Sequence, residues 1–179
     1  MYNAHSAVSF DDNNNALGLW YAEKFKEAQD GTYAQTSVET TKYAVAYSEL
    51  GMAHVLNGHS TDDVMQLLEK SGQIRQRLPG FEKVNLFNVI RGKAYVHVLR
   101  GELGEAFNYL SVALQEREDE YGRDDERGGR SGALLFDLGN VTYKQAYGGE
   151  DVSVADGEVA SARLLLESDR VDTELQEAK

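Results

Sequence analysis

The chain contains no cysteine and only one proline, Pro79, in 179 residues. Without cysteine it has no disulfide framework, no thiolate nucleophile and no cysteine-based zinc site. One proline and no long β-branched run leave helices uninterrupted and argue against a sheet. Positive charge is also scarce: 18 Lys and Arg stand against 30 Asp and Glu, a net charge of −12. That field repels nucleic acid and anionic membrane surfaces. The basic clusters, Arg75 with Arg77 and Arg123 with Arg127 and Arg130, are short and lie among acidic residues. No stretch approaches the ~18 apolar residues that cross a bilayer. Met1 to Asn15 lacks the cationic start and apolar run of a signal peptide. A cytoplasmic protein with no membrane and no nucleic-acid partner is expected.

What the chain does have is a repeat. Tyr47-x-x-Leu50-Gly51, Ile90-x-x-Lys93-Ala94 and Leu135-x-x-Leu138-Gly139 place a small residue at one point of a helical pattern, 43 and then 45 residues apart. A period of that size predicts stacked helix–turn–helix units, which bury their apolar faces only against one another. The predicted fold is all-α, a solenoid of about three repeats. Gly51, Ala94 and Gly139 are expected where helices cross closely, with Ala106 and Ala113 serving the opposing helix.

The organisation follows from composition and helix signals. Residues 1–15 are polar and read as a disordered or looped start. Residues 16–147 form the repeat domain, opening with a helix over Ala16 to Ala28. Asn57-Gly58 and Arg100-Gly101 are the turns inside the first two units, and Ser60 or Thr61 caps the helix after the first turn. The helix that follows ends before Pro79-Gly80. Residues 148–179 are an acidic segment with a capping helix from about Glu158, or disorder beyond about Ser168.

Laid out this way, the chain resembles the tetratricopeptide repeat family over roughly Ala44 to Lys144. Tyr47-x-x-Leu50-Gly51 matches that family's opening, and Gly101, Ala106, Leu110 and Ala113 match its turn and second helix. The longer period is similar to the kinesin-light-chain-like variety. Leu67 to Ser71, Ile74 to Gly80 and Leu134 to Val141 look like the arrays of fungal proteins. The pattern is departed from at His54 and His97, which stand where an aromatic is usual, and at Lys93, which replaces a leucine.

The resemblance implies a concave groove lined by the first helix of each unit. Carried onto this chain, its positions include Ser48 and Met52, then Asn88, Arg91 and Tyr95, then Phe136, Asn140, Tyr143 and Lys144. Arg91, Asn140 and Lys144 would hold a peptide backbone or carboxylate, and Tyr95, Phe136 and Tyr143 would supply contact area. The lysine-and-asparagine clamp of chaperone-binding members is not reproduced.

No chemistry competes strongly with this reading. His54 and His97 occupy equivalent positions and read as packing residues, or as a pH-sensitive contact with each other. Glu116, Asp119 and Glu120 read as a solvated acidic face, because no calcium loop surrounds them. Neither a phosphate-binding loop nor a nucleophile elbow is present. No catalytic residue, metal ligand or cofactor is assigned. The expected function is a non-enzymatic scaffold that binds a protein or peptide partner. The alternatives are a self-associating array, a homodimer through Leu17, Trp20 and Leu164 to Leu166, and an enzyme or small-molecule carrier using the groove as a pocket.

Overall fold

The computed structural model describes residues 14–122 and 129–147. The start before Asn14, residues 123–128 and the segment 148–179 with its expected capping helix lie outside the described residues. The described chain is all-helical, with no strand among its residues. It divides into two compact units, the first ending at Glu102 and the second starting at Leu103.

The first unit holds α1 (Asn15–Thr36), α2 (Thr41–Leu56), α3 (Asp62–Arg77), a short 3-10 turn (Lys83–Leu86) and α4 (Phe87–Leu99). Helix α1 packs on α2, α2 on α3, and α4 on both α2 and α3. Helix α1 runs eight residues beyond the expected end, because Gly31 is tolerated and no cap intervenes before Ser37. Ser37 then takes a left-handed conformation, φ 54°, and donates its amide to Tyr33 O at 2.7 Å. The Asn14 side chain caps the start by accepting from the Leu17 amide. Asn15 and Asn57 tie this end of α1 to the end of α2: Asn15 Nδ2 donates to Leu56 O, and Asn57 Nδ2 to Asn15 O, both at 2.9 Å.

Helix α2 starts at Thr40, whose hydroxyl accepts from the Tyr43 amide. It stops where Gly58 adopts φ +78°. The His59 amide then bonds His54 O at 2.9 Å and the Gly58 amide bonds Val55 O at 2.9 Å. This pair of bonds satisfies carbonyls that a helix end otherwise orphans. Helix α4 closes the same way, with Gly101 at φ +76°, Glu102 N to His97 O, and Gly101 N to Val98 O. Helix α3 begins after Thr61, whose side chain makes no capping bond; Asp62 and Asp63 supply negative charge to its first turn.

Among the described residues, three apolar clusters hold the first unit together. Val55, Val64, Leu68, Val89 and Val96 form one, with Met65 and Tyr95 against it. Ala22, Leu50 and Ala53 form the second with Leu19 and Leu67. Tyr43, Ala44 and Ile74 form the third with Tyr47 and Leu78.

Leu68 shows how tightly the helices meet. It is fully buried. A methyl group built on Gly51 would stand 2.7 Å from Leu68 Cδ2, and one built on Gly92 would stand at the same distance. Gly51 therefore makes the close approach the sequence predicts. The second approach belongs to Gly92, not to Ala94, which is buried but keeps its methyl group. Only hydrogen at both positions lets α2 and α4 close on this leucine.

The second unit holds α5 (Leu103–Tyr121) and α6 (Gly129–Tyr147), packed on each other. Helix α6 begins before the expected Leu134. Helix α5 buries Ala106, Leu110 and Ala113, and α6 buries Leu134 and Val141.

The repeat is legible in burial. Ala46, Val89 and Leu134 are buried at one equivalent position, Gly51, Ala94 and Gly139 at another, and Ala53, Val96 and Val141 at a third. Helices α3 and α5 match as well: Val64 with Ala106, Leu68 with Leu110, and Ser71 with Ala113 are all buried. The chain is an all-α helical repeat.

Candidate functional site

The first helices α2 and α4 each carry a stripe at helical spacing, and the two stripes are in register. Val45, Ser48, Met52 and Leu56 on α2 correspond to Asn88, Arg91, Tyr95 and Leu99 on α4, each 43 residues on. Side chains three and four apart share a helix face, so each set forms one surface line.

The stripes grade from core to solvent. Leu56 and Leu99 are 43% and 44% exposed, nearly equal although their neighbours differ. Met52 and Tyr95 are half-buried behind them. Met52 lies against α4, since a methyl group on Gly92 would come within 3.0 Å of its sulfur. Tyr95 packs on the valine cluster below. Arg91 Nη2 donates to the Tyr95 hydroxyl at 3.4 Å. Its guanidinium lies 5.4 Å from the Phe87 ring centre and 5.8 Å from that of Tyr95. Cation–π contact on two rings holds this charge in a defined place at modest cost. Asn88 is exposed at the polar end.

Ser48 is placed differently from the rest of the set. It is only 3% exposed, inside the packing between α2 and α3. Its hydroxyl donates to Val45 O at 3.0 Å and accepts from Arg75 Nη2 at 3.4 Å. Sequence spacing puts Ser48 on the face with Met52, but a neighbouring helix covers it. The remaining predicted residues, Phe136, Asn140, Tyr143 and Lys144, are half-buried on α6 in the second unit. That helix also buries the carboxylate of Asp137, and α5 buries Arg117, whose guanidinium stands 5.1 Å from the Tyr121 ring centre.

Two polar clusters in the first unit were not foreseen. In one, Tyr33 and Tyr43 stack at 4.7 Å, and the Tyr43 and Tyr47 hydroxyls meet at 3.2 Å. Tyr47 donates to Asp30 Oδ1 at 3.3 Å, and Lys26 caps its ring at 4.6 Å. Burial, reinforced by the Tyr47 contact, pushes the Tyr43 phenol up to about 12. In the other, Ser71 donates to Ala44 O at 2.7 Å and accepts from Arg75 Nε at 3.3 Å. Burial raises the Glu49 carboxyl, opposed by Arg75, and lowers the Arg75 guanidinium, opposed by Glu49. The tyrosines were visible in the sequence, but their convergence depends on α1 lying along α2.

The histidines meet partners within their own turns. His54 Nδ1 and His59 Nδ1 are 3.1 Å apart. His97 Nδ1 lies 2.6 Å from Glu102 Oε2. The helix stop brings these residues together by folding the chain back over the last turn. Along an unbroken helix, residues five apart stand about 140° apart in phase and do not meet.

Among the described residues no helix is long and apolar enough to cross a membrane. No family model matches the chain, and no curated protein matches it closely enough to count as a relative.

Proposed function

We propose that this chain is a non-enzymatic, tetratricopeptide-like scaffold that binds a peptide segment of a partner protein along the α2–α4 face. The observation that carries this reading is the matched pair Leu56 and Leu99. Two leucines, one repeat apart, are left equally open to solvent. Helices in contact lie about 8–10 Å apart, so such a pair suits alternate anchors of an extended segment. Met52 and Tyr95 form the floor, and Arg91, held by Phe87 and Tyr95, supplies a donor for the segment's backbone or a carboxylate.

Peptides selected on the immobilised protein from a random library provide the test. Leu56→Ser, Leu99→Ser and Arg91→Ala together should weaken the selected peptides at least roughly tenfold while helicity stays unchanged. Equal affinity in the triple variant rejects this face.

A second reading is self-association, favoured by Leu17 and Trp20, 40% and 46% exposed and three residues apart on α1. Light-scattering mass that doubles over a hundredfold concentration range, and fails to double in Trp20→Ser, supports it. A constant monomer mass removes it. Leu164 to Leu166, expected to join this contact, lie outside the described residues.

A further inference from the structure

At the far end of the α2–α3 pair from the Gly58 turn, the chain leaves a shallow recess of about 70 Å³. It is lined by Thr41, Arg75, Leu78, Pro79, Gly80, Phe81 and Asn85. The recess exists because α3 ends at Arg77 and Pro79 cannot continue it, so the chain turns away through Gly80 at φ +72°.

Arg75 is the unusual member. Arg77 meets Glu39 at 2.6 Å and Arg100 meets Asp62 at 2.8 Å. Among the described residues, the Arg75 guanidinium is bonded to two serine hydroxyls alone, at 3.3 and 3.4 Å. Glu49 acts on it through space, without an ion pair. A guanidinium carries five N–H donors, so three are not taken up by the serines. A half-buried guanidinium with spare donors, lining a recess, is placed to offer them to an anion that enters it.

We propose that the recess is a carboxylate-binding site, with Arg75 as the bidentate donor and Thr41 and Asn85 as flanking polar contacts. One guanidinium fork matches one planar carboxylate. A phosphate dianion would want further cations, and the net charge of −12 opposes it. The first turn of α2, which Thr41 opens, favours an anion as well. That the carboxylate is carried by a bound peptide rests on the scaffold reading; the site itself rests on the recess.

The test is an amide chemical-shift titration of the full chain with sodium acetate, and with inorganic phosphate at matched ionic strength. Acetate should move the amides of Thr41, Gly80, Phe81 and Asn85 saturably. Arg75→Met should abolish the response and Arg75→Lys should leave a weaker one, with circular dichroism confirming that both fold. If Arg75→Met fails to fold, Asn85→Ala replaces it and should reduce the same shifts. Unmoved amides, an unchanged response in Arg75→Met or Asn85→Ala, or a response to phosphate exceeding that to acetate each overturn the assignment. Acetate shifts that persist in the Leu56→Ser, Leu99→Ser, Arg91→Ala variant place the site apart from the α2–α4 face. Selected peptides whose affinity is the same with and without their acidic groups overturn the peptide as its source.

Discussion

Helices α2 and α4 are two copies of one element, and they differ where the repeat leaves freedom. Both end in a left-handed glycine with the same two backbone bonds, and both bury an alanine or valine pattern against their neighbours. At the equivalent positions 49 and 92, however, α2 carries a half-buried glutamate and α4 a glycine pressed on Leu68. At 59 and 102, one turn pairs two imidazoles and the other pairs an imidazole with a carboxylate. Backbone stops and small buried residues define the repeat, and side-chain chemistry on the same frame is free to diverge.

The largest effect is expected at the shared contact. Leu68→Ala removes the side chain that both helices enclose and should cost about 3 kcal/mol in urea unfolding. Gly92→Ala alone should also destabilise, because a leucine with no exposure cannot swing away from the new methyl group. The double variant should recover part of the loss, since each change makes room for or fills the other. Strict additivity would show that α2 and α4 do not close on Leu68 as described.

Next come the two stops. A Cβ on Gly58 or Gly101 meets nothing within 4 Å, so Gly58→Ala and Gly101→Ala test backbone strain alone. Each should cost about 1 kcal/mol, and by similar amounts. A clear inequality would break the equivalence of the two turns.

The smallest effect separates them by pH. Burial, and then His59, hold the His54 imidazole below its ordinary value of 6.5, with Glu23 opposing. The folded chain prefers this ring neutral, so its stabilising contribution is complete above that pH. It is lost as pH falls toward the lowered folded-state value. Amide exchange at Gly58 and His59 should therefore quicken on acidification, relative to Gly101 and Glu102. His59→Glu removes the second cause and leaves burial, so it should shrink the difference without abolishing it; an unchanged difference would show that the histidine pair contributes nothing to it.

Much of the fold was legible because its signals are local. Gly58 and Gly101 announce helix ends since only glycine enters that φ region freely, and the spacing of Tyr47, Leu50, Gly51 and Val55 fixes which face is apolar. The candidate site was legible in part. The stripe Asn88, Arg91, Tyr95 follows from helical phase, whereas the burial of Ser48 depends on α3 lying across it. Glu49 and Arg75 lie 26 positions apart, too far for any periodic rule to join them.

The sequence by itself determined the helices, their stops and the period of the repeat, because dihedral preference and 3.6-residue spacing act over a few residues. Tertiary structure alone decided that Gly92 rather than Ala94 meets Leu68, that α3 covers Ser48, and that Arg75 borders a recess. Those outcomes turn on ångström differences in how helices approach, and such differences are set by many distant side chains packing at once.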